Sequence, residues 1–243
     1  DNKDAKVETR FSADFLLRDQ RMGFIRKVYL TLTVQLLLTG AICAWTGMHR
    51  RELRRYFFAG DGTRAGILTV TSAAVTIGSM LAMASSRQLR RGAAGYGLTA
   101  LFTTAESVMV AFLTLMYTAK SVTAACVQTA AATAGLTLYA FQSNPKYDLT
   151  GVGSALSTSL FCLIGFGILR LFLHVPLLDA AYSTLGALLM SAFIVYDTYT
   201  IIGGKHRRAD QMDSKDHLMG ALQLYMDIVN LFIHLLQLLG ERE

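Results

Sequence analysis

Charged residues are scarce in this sequence. Asp, Glu, Lys and Arg make up 16% of the 243 residues, whereas a water-soluble domain carries about 25%. Hydrophobic residues make up 53% of the chain, and the mean hydropathy is +0.39. This composition excludes an ordinary soluble domain and indicates a membrane protein.

Cysteine and linker sequence are also sparse. Cys43, Cys126 and Cys162 lie in apolar segments, without CxxC spacing or a neighbouring histidine. This pattern excludes a zinc site and predicts that the three are small core residues. No Pro- or Ser-rich linker divides the chain, so we expect one compact unit.

The net charge of +6 is compatible with nucleic-acid binding. The Lys and Arg residues, however, lie between long apolar segments rather than in one soluble stretch, so they are expected to orient the chain in a bilayer. We therefore expect membrane lipid as a partner and no nucleic acid.

Seven segments are long and apolar enough to cross a membrane, since a spanning helix needs about 20 such residues. They predict an all-α polytopic membrane protein, a seven-transmembrane-helix bundle within residues 28–243, with short loops that make neighbouring spans antiparallel. The predicted spans are Val28 to Gly47, Gly66 to Ala84, Gly92 to Tyr117, Ser121 to Phe141, Gly151 to Leu173, Pro176 to Ile202 and Leu218 to Gly240.

Basic residues predict the orientation. Residues 1–27 form an amino-terminal tail without an apolar core long enough for a cleaved signal peptide. Fifteen Lys and Arg residues lie on the side of this tail and eight on the other. The positive-inside rule therefore predicts a cytosolic amino terminus.

Three acidic residues, Glu106, Asp197 and Asp227, lie within predicted spans, where an ionisable side chain indicates function. Counted from His206 in the basic run after the sixth span, Asp197 lies about 13 Å deep, and Asp227, counted from His217, about 15 Å. Carboxyls at one depth on consecutive antiparallel helices can meet. Like charges that close cannot both ionise freely, so the pair is expected to hold a proton and to sense pH.

A polar stripe follows the last span, since six polar residues fall within about 80° when each residue turns about 100°. The stripe is either a set of interhelical hydrogen bonds or the lining of a polar pathway. Glu106 is either a second acidic station or a structural carboxyl, and with Asn230 and His234 it is a pathway candidate. The stripe comprises Gln223, Asp227, Asn230, His234, Gln237 and Glu241.

Calcium prefers several oxygen ligands, so Asp197 and Asp227 predict only a weak Ca²⁺ site that also uses waters and backbone carbonyls. Arg87, Arg90 and Arg91 follow the second span. They either compete with a cation for the two acids or serve only as membrane anchors. No cofactor is expected, and Ca²⁺ enters only as a transported ion.

Paired membrane aspartates also occur in intramembrane aspartyl proteases, and the "YD" of Tyr196 and Asp197 matches half of that motif. The second acid of those enzymes lies in a GxGD turn, whereas Asp227 lies in "LYMD". No histidine is spaced for a dyad with Ser154. We therefore do not expect an enzyme.

Four ordered stretches carry a family pattern: "FIRKVYLTLTVQLLLT", "TLYAFQSNPKYDLTGVG", "AFIVYDTYTIIGGKHR" and "ALQLYMDIVNLFIHLLQLLG". They resemble the transmembrane Bax inhibitor motif family, and within it the lifeguard (glutamate-receptor-associated) branch. The resemblance covers nearly all of the chain after Phe11. It implies a seven-helix fold with the last helix at the centre of the other six.

The resemblance also implies a function: a proton-sensitive calcium leak channel of an intracellular membrane, endoplasmic reticulum or Golgi, that suppresses cell death and meets membrane-bound cell-death regulators. It implies that Asp197 and Asp227 form a di-aspartyl sensor, latched by Arg87 or Arg90. His234 stands where the family usually has an aromatic residue, so the resemblance does not define the detailed ion path. The alternatives are a non-conducting adaptor and a Ca²⁺/H⁺ antiporter.

Overall fold

The structure is a computed structural model of the chain. It describes residues 2–58, 62–90, 92–141, 152–173, 175–203, 212 and 216–242, without the side chains of residues 2–19, 58 and 171. Arg91 and the basic run at residues 205–208, from which the depth of Asp197 was counted, lie outside the described residues.

Eight helices make up the described part of the chain, and seven of them are long and apolar enough to cross a membrane. This confirms the all-α polytopic fold. The exception, α2, is a helix of nine residues between the first two spans, in a stretch that the sequence pattern assigns to a loop. The helices are α1 Asn2–Met48, α2 Arg50–Phe58, α3 Thr63–Ser85, α4 Gly92–Thr114, α5 Ala119–Phe141, α6 Gly153–Phe172, α7 Pro176–Ile202 and α8 His217–Leu239.

Six of the seven predicted spans agree with the helices to within three residues. The predicted first span, Val28 to Gly47, lies inside the much longer α1. Upstream of Val28 the helix continues through Arg26 and Lys27, which are exposed and both favour helix. These charges interrupt the hydrophobic run but not the helix. The division between a tail at residues 1–27 and a membrane domain at residues 28–243 falls inside α1 and stays a prediction.

The last helix, α8, lies at the centre of the bundle. It packs against α1, α4, α5 and α7, whereas α3 packs on α4 and α6 packs on α7. In α8, 56% of the apolar span is buried, compared with 11% in the peripheral α6. The expectation of a central last helix is confirmed.

Large apolar side chains cover the outside of the bundle. Leu30, Phe161, Phe172 and Leu177 are each more than two thirds exposed. Exposed apolar surface of this extent suits hydrocarbon rather than water. The chain is therefore a multi-pass membrane protein whose outer face meets the lipid bilayer.

A buried polar network joins α1, α4 and α8. The Gln35 side-chain amide donates to Thr103 Oγ1 at 2.9 Å. Thr39 Oγ1 lies 2.8 Å from both Ser107 Oγ and the Tyr225 hydroxyl. Lipid provides little drive for burying apolar side chains, so interhelical hydrogen bonds of about 1 kcal/mol each help to fix the positions of these helices.

Arg21 of α1 binds the carboxyl-terminal end of α7. Its guanidinium donates to the carbonyl oxygens of Thr200 at 2.5 Å and Ile202 at 3.2 Å, and to that of Met212 at 2.7 Å. A guanidinium presents several donors in one fixed plane, and a cation is favourable at the carboxyl end of a helix. Arg21 therefore holds the end of α7 against α1.

Gly186 of α7 makes room for His234 of α8. A Cβ atom at position 186 would collide with the His234 ring, which also packs edge-on against Tyr182 at a centroid distance of 5.2 Å. Close backbone approach at small residues is the usual means of holding membrane helices together. The α7–α8 contact depends on this glycine.

We expect Arg21→Met to lower the thermal stability of the purified protein. The carbonyl oxygens of Ile202 and Met212 would lose the Arg21 donor, and that of Thr200 would keep only the Met212 N–H at 3.2 Å. A buried polar group without a partner costs about 1–3 kcal/mol. Thermal unfolding in detergent measures the change. Arg26, exposed on the same helix, provides the control, and an Arg26→Met midpoint as low as that of Arg21→Met would contradict the role of Arg21.

We expect Gly186→Ala to destabilise the α7–α8 contact, because an added methyl group in a packed site costs about 1–3 kcal/mol. Gly135→Ala on α5 is the matched control, since a Cβ there would meet no heavy atom within 4 Å. The same unfolding assay compares the two variants. Equal midpoints would show that position 186 has room for a side chain.

Candidate functional site

Asp197 lies on the buried face of α7, near the end of the helix. The residue is 6% exposed, and its neighbours Ile194, Val195 and Ile201 are buried. The hydroxyl of Thr200 donates to the backbone carbonyl of Asp197 at 2.9 Å. The acid is therefore enclosed by protein rather than directed to lipid.

Asp227 lies opposite on α8. It is 9% exposed and has buried residues, Tyr225 and Ile228, on either side. The carboxyl groups of Asp197 and Asp227 lie close enough to interact with each other. The structure thus brings together the two acids that the sequence singles out.

A hydrogen bond between the two acids would require a proton. Ionised carboxylates have only acceptors, so one member of the pair must be protonated for the bond to form. Two negative charges at this separation also repel strongly in low-dielectric surroundings. Asp227 Oδ2 is buried and has no hydrogen-bond partner among the described residues. Asp227 Oδ2 can therefore bind one more group, which can be a water molecule, a proton or a cation.

Arg87 and Arg90, the latch candidates, lie in the turn after α3. Arg87 is exposed, and the carbonyl of Arg90 packs against Gly95 at the start of α4. Neither arginine forms a hydrogen bond or an ion pair with the two acids in the described part of the chain, although Arg90 Nε is buried without a partner. The latch stays a prediction.

Arg21 is linked to the helix turn that contains Asp197 by way of backbone carbonyl groups. Its guanidinium binds the carbonyl of Thr200, and the Thr200 hydroxyl in turn binds the carbonyl of Asp197. The positive charge is therefore bound to helix carbonyls rather than to the two carboxyls. Arg21 therefore positions the end of α7 and forms no ion pair with the acids among the described residues.

The polar stripe of α8 faces α7. His234 fits against α7 at Gly186, and Gln237 Oε1 accepts hydrogen bonds from Ser183 of α7 and Arg170 of α6, each at 3.4 Å. Gln237 lies ten residues beyond the acid pair, about 15 Å along the helix. The stripe therefore runs along the α7–α8 interface.

An ion pair lies at the far end of this stripe. Arg170 Nε is 2.8 Å from Asp179 Oδ1, and the Asp179 side chain is 42% exposed. The Arg170 guanidinium also lies 4.8 Å above the centre of the Tyr182 ring. The stripe therefore connects an enclosed acid pair with a half-exposed ion pair at the edge of the protein.

The three pathway candidates differ in their surroundings. Glu106 of α4 is 6% exposed and lies beside Thr76 of α3. Asn230 donates to the carbonyl of Met226 on its own helix at 2.8 Å. His234 is buried, and its Nδ1 has no partner among the described residues. Of the three, His234 is the one that contacts α7 directly.

The acid pair supplies only part of a cation shell. No group of three or more His, Cys, Asp or Glu side chains comes together among the described residues, whereas Ca²⁺ takes about 6–8 oxygen ligands. The four carboxyl oxygens of Asp197 and Asp227 would need several waters or carbonyls in addition. This donor set suits brief contact with a passing ion better than storage.

Arg21 is the residue of this region that the sequence reasoning missed, because it was counted among the cations of the tail. Helical spacing provides a signal for it. The buried face of α1 continues upstream from Val28 to Phe24 and then to Arg21, at intervals of four and three residues. A cation in register with an apolar helix face indicates a buried partner.

A family model described as "Inhibitor of apoptosis-promoting Bax1" matches residues 21–243. The matched region contains all seven spans almost completely, together with both acids.

Three relatives illustrate the similarity. Protein lifeguard 4 of Mus musculus is 34% identical over 219 residues, covering 90% of this chain and 85% of that protein. The Golgi anti-apoptotic protein of Vaccinia virus (strain Lister) is 33% identical with the same coverage. Bax inhibitor 1 of Schizosaccharomyces pombe is 30% identical over 231 residues, covering 90% of this chain and 77% of that protein. The chain therefore belongs to the Bax inhibitor motif family, with lifeguard proteins among its relatives.

Proposed function

We propose that this chain is an anti-apoptotic membrane protein that acts as a pH-sensitive calcium leak channel. The first half of the proposal is supported by the family, whose matching model is described as an inhibitor of apoptosis-promoting Bax1, and by a relative named as anti-apoptotic. These names describe regulators rather than enzymes, which supports a role without catalysis. Membrane-bound cell-death regulators are the partners proposed for that role.

The observation that carries the second half is the close approach of the buried acids Asp197 and Asp227. A hydrogen bond between their carboxyl groups exists only while one of them is protonated. Loss of that proton would leave two negative charges in contact and force α7 and α8 to separate or to admit a cation. A change of pH thereby becomes a change in the α7–α8 contact.

The polar stripe of α8 supports an ion route along the same contact. It places His234 and Gln237 between the acid pair and the partly exposed Arg170–Asp179 ion pair. In the closed arrangement these groups hydrogen-bond or pack within the interface. Separation of α7 and α8 would expose them to water and offer Ca²⁺ an interrupted series of oxygen ligands.

The excess of basic residues on the side of the amino terminus supports a cytosolic amino terminus. With that orientation the acid pair lies nearer the cytosolic surface. A relative with "Golgi" in its name supports an intracellular membrane, Golgi or endoplasmic reticulum. The proposed leak then runs from the organelle lumen to the cytosol.

A non-conducting adaptor is the second candidate. It is favoured by the absence of a fuller ligand cluster among the described residues and by relatives named for apoptosis rather than for transport. In that case the acid pair serves only to hold α7 to α8. Calcium flux in a purified system separates the two candidates, because an adaptor passes no ions.

We expect the protein to release Ca²⁺ from dye-loaded liposomes at a rate that depends on pH. Asp197→Asn and Asp227→Asn should each remove the pH dependence of the rate, because the amide N–H donates to the remaining carboxylate and the contact no longer needs a shared proton. Glu52→Gln, which removes an exposed acid of α2, should retain the pH dependence. Unaltered pH dependence in Asp227→Asn would contradict the sensor.

The antiporter alternative is tested in the same liposomes with an imposed proton gradient. A leak channel is expected to carry Ca²⁺ only down its own gradient, whichever way the protons flow. Accumulation of Ca²⁺ against its gradient would contradict a passive leak and support coupled exchange.

A further inference from the structure

A cavity of about 480 Å³ lies between α1 and α5, within the range of about 300–1,000 Å³ that is typical of ligand sites. Both helices pack on α8, and the cavity lies where they leave a space over it. Ile228, Val229 and Phe232 of α8 form the floor. The cavity is on the side of α8 that faces α1 and α5, whereas the polar stripe faces α7.

The lining of the cavity is apolar and uncharged. Small residues, Gly40 of α1 and Ala130 and Ala134 of α5, make up part of its walls. The hydroxyls of Thr39 and Thr129 donate to backbone carbonyls of their own helices. Such walls offer a cation no ligand set and a water molecule few of the two to four partners it needs. The cavity is therefore not a branch of an ion route.

The cavity is elongated along the helices. Tyr29 and Cys43 of α1 both line it, and the rise of 14 residue steps from one to the other corresponds to about 21 Å of helix. One leaflet of a bilayer core is about 15 Å thick, so the cavity runs through more than one leaflet. At one end, the hydroxyls of Tyr29 and Thr133 are buried without a hydrogen-bond partner among the described residues.

The cavity continues the surface that meets the bilayer. Leu37 of α1 and Val127 of α5 are 68% and 64% exposed, and each directly follows a lining residue, Leu36 or Cys126. Lipid tails covering these side chains therefore lie next to the cavity. An open apolar space beside hydrocarbon gains many dispersion contacts when a chain enters it.

We propose that this cavity binds one acyl chain of a membrane phospholipid, which enters from the bilayer between α1 and α5 and lies against α8. The elongated, uncharged shape matches a hydrocarbon tail. The site is separate from the acid pair. It does not depend on whether the protein conducts calcium.

Photocrosslinking tests the site in the intact protein. The protein is reconstituted in phosphatidylcholine vesicles that contain a phospholipid with a diazirine on one acyl chain, irradiated and digested for peptide mass spectrometry. We expect adducts to concentrate on the lining segments around Gly40 and Ala130. Adducts spread evenly over the lipid-facing helices, including α6 around Phe161, would overturn the proposal.

A matched pair of variants on α1 sharpens the test. A Cβ atom at Gly40 or at Gly47 would meet no heavy atom within 4 Å, but only Gly40 lines the cavity. Gly40→Leu is expected to fill the space and abolish the adducts on the lining segments, whereas Gly47→Leu should retain them. Equal adduct yields in the two variants would overturn the proposal.

A second pair of variants, on the α5 wall of the cavity, keeps the proposal testable if Gly40→Leu does not fold. Ala130 lines the cavity, and its exposed neighbour Ala131 does not. Native mass spectrometry after mild delipidation should find one retained phospholipid in the wild type and in Ala131→Leu, and none in Ala130→Leu. Retention by Ala130→Leu, or a wild type that retains a supplied sterol instead, would contradict the acyl-chain site.

Discussion

Two acids buried inside a lipid-embedded bundle impose the constraint on which the rest of the structure depends. Removing a carboxylate from water costs several kcal/mol, and the bilayer core offers no water to offset that cost. Asp197 and Asp227 lie close together, where a single shared proton would reduce that cost by allowing a hydrogen bond between them. Such sharing requires α7 and α8 to be held in one fixed register. Gly186 and Arg21 contribute to that register, the first by admitting His234 and the second by holding the end of α7.

The central helix α8 therefore has two chemically different faces. The face toward α7 carries the acid pair, His234 and Gln237, and it ends near a partly exposed ion pair. The face toward α1 and α5 is largely apolar and forms the floor of a cavity open to lipid. Tyr225 lies on this second face and joins α8 to Thr39 of α1 by a buried hydrogen bond. A movement that separates α8 from α7 would therefore also change the contacts of α8 with α1 and α5.

Much of this arrangement is readable from the sequence, because lipid makes polar residues conspicuous. Asp197 and Asp227 stand out in apolar runs, and the length of those runs predicts seven helices that the structure bears out. The sequence could not reveal which neighbour each polar group meets. In the sequence, Arg21 looks like any other cation of the tail, and only the structure shows that it contacts α7. The helix α2 was missed because its arginines interrupt the hydropathy signal, although arginine favours helix. The cavity arises from the spacing of two helices on a third, which no local pattern encodes.

The central claim is that Asp197 and Asp227 share a proton, and infrared difference spectroscopy during a pH titration tests it most directly. A protonated carboxyl gives a band separate from that of a carboxylate, and Glu106 is distinguished from the pair by variants. The account predicts a carboxylic-acid band that titrates in the wild type and is altered by Asp197→Asn and by Asp227→Asn alike. A wild type without a titrating band, or a band that both variants leave unchanged, would contradict it.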